Sequence, residues 1–276
     1  LSQNYLKFRN TCKFCLDNLV GFDADHLVQP DEMLPLDKWA VTRLNTLIEK
    51  VFAAYDNYEF HVVSHMVNDF CVVDLSSFYF DIIKDRLYCG EENSLERRSA
   101  QSAVWMILDA MTRLFAPILA FTCDEVWLAM PHRAGDDARN VLLNQMVQPY
   151  AAYALSEEEM GKWARLAALR TAVNGALEQA RADKTIGKSL EAEVDLTVTA
   201  EDAFLTDMDA ADLADLLIVS QVRVEVGAEL TVAVRPANGA KCLRCWKVLP
   251  TVGSDAGHPD LCPRCAAVVK NLPVIE

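Results

Sequence analysis

At 276 residues the chain exceeds one typical domain, so two or three folding units are expected. Hydrophobic residues make up 52% and charged residues 24%, which suits a real core under a soluble surface, and no window reaches the roughly eighteen uninterrupted apolar residues of a membrane helix. A formal net charge of -14 argues against binding nucleic acid through overall basicity, and leaves only a locally basic face on an acidic body.

The opening LSQNYLKFRN has no initiator Met, basic n-region or apolar h-region, so it does not read as a signal peptide. An abrupt start on Leu1 is expected of a fragment of something longer. Residues 1–150 read as helix after helix. Leu44, Leu47, Ile48, Val51, Phe52 and Tyr55 recur at three- and four-residue spacing, predicting an amphipathic helix over 37–55, with Pro35 just outside it and Asp37 as its cap. From Phe60 to Tyr88 the pattern widens into one long apolar helix, expected at the centre of a bundle. A further helix runs from Leu95 to Ala116, where Pro117 stops or kinks it. Thr122 and Glu125 have capping-box spacing, and Phe121 and Val126 are placed as the hydrophobic staple around it. These segments predict an antiparallel helix bundle.

Residues 131–155 read as a loop-rich connection. Ser156 and Glu159 form a second capping-box pattern, opening a helix to about Ala182. The period then changes to two. Ala192, Val194, Leu196 and Val198 alternate with Glu193, Asp195, Thr197 and Thr199, as in a half-buried strand. Asp209 is placed to cap a short helix to about Leu217. Val222, Val224 and Val226, a Gly227-Ala228 turn, and Leu230, Val232 and Val234 predict a hairpin within a small α/β unit. Pro236-Ala237-Asn238-Gly239 marks a boundary. The expected fold is mainly α: a helical domain over 1–150, a helix plus small α/β junction over 151–235, and a four-cysteine module over 236–276.

Nine cysteines without a secretory signal point to a reducing compartment. Four form Cys242-x2-Cys245-x16-Cys262-x2-Cys265. Each Cys-x-x-Cys can present two thiolates to a tetrahedral ion, which predicts one structural Zn²⁺ with no position left for an activated water. About forty residues bury too little surface to fold alone, and metal binding supplies the missing free energy. Iron is the main competitor for such a sulfur tetrahedron. Between Arg235 and the C-terminus six Lys and Arg face three Asp and Glu. Lys241, Arg244, Lys247 and Arg264 lie in or beside the knuckles with Trp246. An aromatic face among cations suits a stacked, unpaired base, while the alternative is that Trp246 forms the module's own core.

The remaining candidates favour plain structural roles. Cys12 and Cys15 make a third Cys-x-x-Cys, but in a helical pattern without a second pair. His61 and His65 are four apart without a third ligand and read as helix-packing or hydrogen-bonding residues. Arg181, Lys184 and Lys188, with Gly187, sit at a helix end, where they can favour the helix dipole or hold phosphate. No phosphate-cradling glycine loop, dinucleotide fingerprint or catalytic set is found, so no catalytic residue is assigned.

Several stretches, in order, resemble isoleucyl-tRNA synthetases of the bacterial type. KFRNTCKFCLDNLVGFD, with Arg9-Asn10-Thr11 and Asn18-Leu19-Val20-Gly21-Phe22-Asp23, resembles the start of that family's anticodon-binding helical domain. FCVVDLSSFYFDIIKDRLY and RRSAQSAVWMILDAMTRLFAPILAFTCDEVW resemble its later helices. VNGALEQARADKTIGKSLEAEV is similar to the junction that follows, and KCLRCW with LCPRC to the terminal zinc module. The resemblance implies a tRNA-gripping C-terminal portion, with the His-Ile-Gly-His and Lys-Met-Ser-Lys-Ser motifs and the editing domain absent. ATP and Mg²⁺ then belong to the missing catalytic half, and the partners are tRNA(Ile) and the remainder of the synthetase chain. A monomer in the cytoplasm, with no membrane contact, is implied. Arg9 and Asn10 are expected to face the tRNA, and Lys241, Arg244, Trp246 and Arg264 the anticodon loop. The rivals are a helical scaffold with a zinc-stabilised protein- or nucleic-acid-binding tail, and a DNA glycosylase. The latter needs an N-terminal proline nucleophile that Leu1-Ser2 does not offer.

Overall fold

The computed structural model describes residues 2–272, and the expectations for Leu1 and the last four residues fall outside them. The described chain divides into two compact units, one ending at Glu157 and one beginning at Glu158.

The first unit is built from α1 (Ser2–Asn18), α2 (Pro35–Asp56), α3 (Phe60–Asp69), α4 (Phe80–Cys89), α5 (Leu95–Phe115) and α6 (Ala120–Ala129). Its centre is α5. Ser94 caps its start by accepting from the Arg97 amide, and from Ser99 to Phe115 every residue except Arg113 is buried. A helix buried on all sides needs neighbours on all sides, and α1, α2, α3, α4 and α6 all pack against it. The expectation that 60–88 is the central helix is therefore corrected. That run keeps a solvent side at His61, His65, Val73, Lys84 and Tyr88. It is also not uniformly α-helical, since Phe70–Tyr79 between α3 and α4 is π-helical. The hydroxyls of Ser76 and Ser77 donate to carbonyls five residues back, at 2.7 Å each, satisfying acceptors of the widened turn.

Two expected caps are corrected. Pro35 lies in the first turn of α2 behind an extended Leu34, and Asp37 sits inside the helix with no exposed surface. Its carboxylate accepts from Tyr79 Oη (2.7 Å), Ser99 Oγ (2.6 Å) and Arg86 (3.2 Å), so it ties α2 to three other segments. α6 begins at Ala120 behind Leu119, which places Thr122 and Glu125 within the helix. Phe121 is 95% exposed, so it makes no staple with the buried Val126. The loop-rich 131–155 segment returns to the bundle through Tyr150, whose amide donates to Asn45 Oδ1 at 2.7 Å while Asn45 Nδ2 donates to the Tyr150 carbonyl at 3.2 Å.

The second unit opens with α7 (Glu157–Ala182), whose buried stripe is Leu166, Leu169, Val173, Leu177 and Ala180. A three-stranded sheet follows, from β1 (Ala192–Val198), β2 (Gln221–Val226) and β3 (Thr231–Pro236). Ala192, Val194, Leu196 and Val198 are buried, as their alternation predicts. Asp209 caps α8 (Ala210–Leu217), its carboxylate accepting from the Ala211 and Asp212 amides at 2.8 and 3.3 Å.

The predicted hairpin is not formed. The strand order is β2-β1-β3, with β1 parallel to β2 and antiparallel to β3. Central placement of β1 lets Glu193 meet a cation on each side, Arg235 of β3 at 2.8 Å and Arg223 of β2 at 3.1 Å. The connection from β2 to β3 passes the end of β1, where the Gly227 amide donates to the Val198 carbonyl at 2.8 Å. A Cβ there would lie 2.4 Å from Thr197 Cγ2, so a larger residue would force the Thr197 side chain to shift. The unit ends in the short pair β4 (Ala240–Lys241) and β5 (Val248–Leu249), and in α9 (Pro263–Lys270).

Candidate metal centre and nucleic-acid interface

The two Cys-x-x-Cys segments, separated by a sixteen-residue loop in the sequence, meet as expected. Cys242 and Cys245 lie on the turn between β4 and β5, and Cys262 and Cys265 at the start of α9. Their sulfurs all lie within 4.8 Å of one another, and Cys245 Sγ is 3.9 Å from Cys262 Sγ. A tetrahedron with Zn–S bonds of about 2.3 Å has an edge of about 3.8 Å, so the set fits one Zn²⁺. The distance is nearly double a disulfide bond, and all four cysteines are unpaired. They are also buried, and four sulfurs fill a tetrahedral shell, which gives the metal a structural rather than a catalytic task.

The backbone prepares the site for thiolates. Burial opposes ionisation of Cys242, but the amides of Cys245, Cys262 and Arg244 turned towards its sulfur pull the thiol down to about 6. Burial and the neighbouring thiolates push Cys245 and Cys262 the other way, a conflict that a bound cation removes. Arg244 approaches Cys265 Sγ at 3.9 Å, placing a guanidinium where the ligand set carries excess negative charge.

Trp246 follows the first knuckle directly. Its amide donates to the Cys242 carbonyl at 2.9 Å, which closes the turn and holds the residue at φ +66°. Left-handed backbone disfavours a residue with a Cβ by about 1–2 kcal/mol. Trp246 is 56% exposed, so little burial offsets that cost, and the indole is not the module's core. The ammonium of Lys188 lies 5.6 Å from the ring centroid, on the face of the indole. Lys241 and Arg264 are exposed, and Arg244 is half-buried. Lys247, also in this segment, is paired with Asp215 of α8. The module is seated on the sheet as well: the Val248 amide donates to Ser220 Oγ at 2.7 Å, and Gln221 Nε2 to the Asn238 carbonyl at 2.7 Å.

The other expected residues belong to the first unit. Arg9 and Asn10 stand on the solvent side of α1, in the first unit, opposite the buried Phe8, Thr11, Cys12 and Cys15. Cys12 and Cys15 are core residues, as are Cys71, Cys89 and Cys123. Burial pushes the thiols of Cys12 and Cys15 well above their ordinary value and those of Cys71 and Cys123 up to about 12, so all four stay neutral. His61 and His65 are exposed, and among the described residues Cys242, Cys245, Cys262 and Cys265 are the only such group of three or more His, Cys, Asp or Glu able to hold an ion. Lys188 over Trp246 is the contact that sequence reading missed. The two lie fifty-eight positions apart, and no local pattern couples a helix-end lysine to a zinc knuckle.

A family profile described as "Anticodon-binding domain of tRNA ligase" matches residues 37–196, more than half of the chain. A second, "Zinc finger found in FPG and IleRS", matches residues 239–268, and with the four-cysteine cluster it supports one structural zinc. The chain is 44% identical to an isoleucine–tRNA ligase from Geobacter sulfurreducens over 98% of its own length and 30% of the relative's. It is 42% identical to that of Moorella thermoacetica, covering 99% of the chain and 31% of the relative. It is 41% identical to that of Edwardsiella ictaluri, covering 96% and 29%. The chain thus spans about three tenths of these relatives. Among the described residues no helix is long and apolar enough to cross a membrane.

Proposed function

Because the chain belongs to the anticodon-binding domain family of tRNA ligases, we propose that it grips the anticodon stem-loop of tRNA(Ile) as the C-terminal part of an isoleucine–tRNA ligase. The intact protein then attaches isoleucine to that tRNA at the expense of ATP, with Mg²⁺, in the portion beyond these residues. A monomer in the cytoplasm suits this role. The working division is a helical domain over 1–150, a junction over 151–235 and a zinc module over 236–276, with Cys242, Cys245, Cys262 and Cys265 as the zinc ligands.

The observation that carries the reading is the exposed, left-handed Trp246, its turn closed on the Cys242 carbonyl and its face met by Lys188, in a locally basic segment of an otherwise acidic chain. An unpaired base stacks on the indole, and Lys241, Arg244 and Arg264 supply attraction to the backbone around it. Arg9 and Asn10, on the solvent side of α1, would contact the tRNA from the first unit. Cys242, Cys245, Cys262 and Cys265 would hold the zinc, which would fix the knuckle that Trp246 directly follows.

The test is a titration of the zinc-loaded chain with tRNA(Ile) and one non-cognate tRNA at two salt concentrations. Tighter cognate binding, weakened by salt and lost on chelation, is expected. Trp246→Ala should cost about 1–3 kcal/mol if the indole stacks a base. No tRNA binding by folded, metallated protein would favour a helical scaffold with a protein-binding tail.

A further inference from the structure

The second unit contains a cleft of about 390 Å³ at the end of α7, lined by Arg181, Lys184, Thr185, Ile186, Gly187, Glu191 and Pro236. The backbone around it is closely tied. Lys184 stands at φ +60°, held by its own amide on the Arg181 carbonyl (3.0 Å) and by the Thr185 amide on the Ala180 carbonyl (2.9 Å). These bonds complete the helix end through the backbone alone, leaving the Lys184 side chain exposed and without an ion pair among the described residues. Arg181 is engaged by Ser189 Oγ and Glu178. The one acid in the lining, Glu191, accepts from the Gly187 and Lys188 amides at 2.9 and 3.2 Å, and those amides with Lys241 and Lys188 hold its carboxyl below the usual range. Glu191 is therefore an ionised carboxylate, and it faces two cations of its own, Lys188 and Lys241, so Lys184 leaves the cleft with a positive excess. Lys188, four residues on, leads from the cleft to the face of Trp246.

We propose that this cleft seats a phosphate of an RNA backbone, with Lys184 supplying the charge. Lys188 covers the Trp246 face until a base displaces it, and then turns its ammonium to the same strand. The inference rests on the RNA-binding reading above and adds a second contact to it. A lysine parked on an exposed indole keeps that face from non-specific apolar contact. Its transfer to a phosphate keeps its charge paired when the base arrives.

The experiment uses the whole zinc-loaded chain and an anticodon stem-loop hairpin with an isoleucine anticodon. Binding is measured against salt for wild type, Lys184→Gln, Lys188→Gln, Trp246→Ala, and Lys162→Gln as an exposed lysine of the same unit paired with Glu158. Zinc content and thermal melting check that each variant is folded. Lys184→Gln and Lys188→Gln should each lower the slope of log K against log salt by about 0.7–0.9, as for one lost phosphate contact. Lys188→Gln should also change the Trp246 emission of the unbound protein, and Lys162→Gln should leave the slope unchanged. Unchanged slopes for Lys184→Gln and Lys188→Gln, with binding still lost in Trp246→Ala, would overturn the cleft and leave the RNA reading standing. An equal drop for Lys162→Gln would also overturn it, as a general field effect. Failure of the wild type to bind the hairpin would remove the RNA reading and this inference with it.

Discussion

Asp37 carries a carboxylate with no exposed surface into the bundle, where burial raises its protonation range against the pull of Arg86, Ser99 and Tyr79. Such a group adds little net stability when satisfied, yet its removal strands every partner. Asp37→Ala should therefore destabilise the first unit by about 3–5 kcal/mol, and Tyr79→Phe by only about 1–2 kcal/mol, in urea unfolding followed by circular dichroism. Similar costs for both would mean that the carboxylate is not the hub. An aspartate two residues after a proline reads as a helix start on local grounds, and nothing nearby announces Tyr79 or Ser99. Trp246 presents the converse case. Its place beside a knuckle is plain from the sequence, but its left-handed backbone is not. At φ +66° glycine escapes the Cβ penalty, so Trp246→Gly should be about 1 kcal/mol more stable than Trp246→Ala. Both variants should lose the stacking surface, which separates stability from binding at one position.

Helices announced by strong periodicity stand close to where their spacing places them, α2 and α5 above all, because a buried stripe repeats along the element itself. The π-helical Phe70–Tyr79 segment escapes such reading, since its apolar content is equally compatible with an α-helix. Strand pairing escapes for another reason: alternation shows which side of a strand is buried, not which strand lies beside it. The β2-β1-β3 order brings Arg235 and Arg223 to the nearly buried Glu193. The Arg235 hydrogen bond, opposed by burial and aided by both guanidinium charges, holds the Glu193 carboxyl below its ordinary 4.5. A carboxyl depressed on folding contributes stability above its unfolded value, and loses it as pH falls through the folded one. The second unit should accordingly lose stability as pH drops below about 4.5, and Glu193→Gln should flatten that limb of the stability–pH curve. An unaltered acid limb in a folded variant would assign it to other carboxylates.

At the scale of the molecule, the helical unit and the four-cysteine module draw stability from different sources, while α7, α8 and the sheet of the second unit bury an apolar core of their own. The helical unit buries a continuous apolar core around α5, whereas the four-cysteine module has few large side chains to bury and depends on its metal. Chelation should therefore abolish the ordered module and the Trp246 surface while leaving the helical unit's unfolding midpoint in place, as read by far-UV circular dichroism and Trp emission on titration with a strong chelator. Loss of both units together would show that the metal supports the whole chain. The cysteine spacing, the helical periods and the capping of α8 by Asp209 are decided locally, within a few turns of chain, so the order of the residues alone determines them. The centrality of α5, the placement of β1 between its partners, the Asp37 network and the seating of Lys188 on Trp246 are decided only by tertiary structure. Each depends on a partner tens of residues away, chosen by which apolar faces and charges could be satisfied together once the chain was folded.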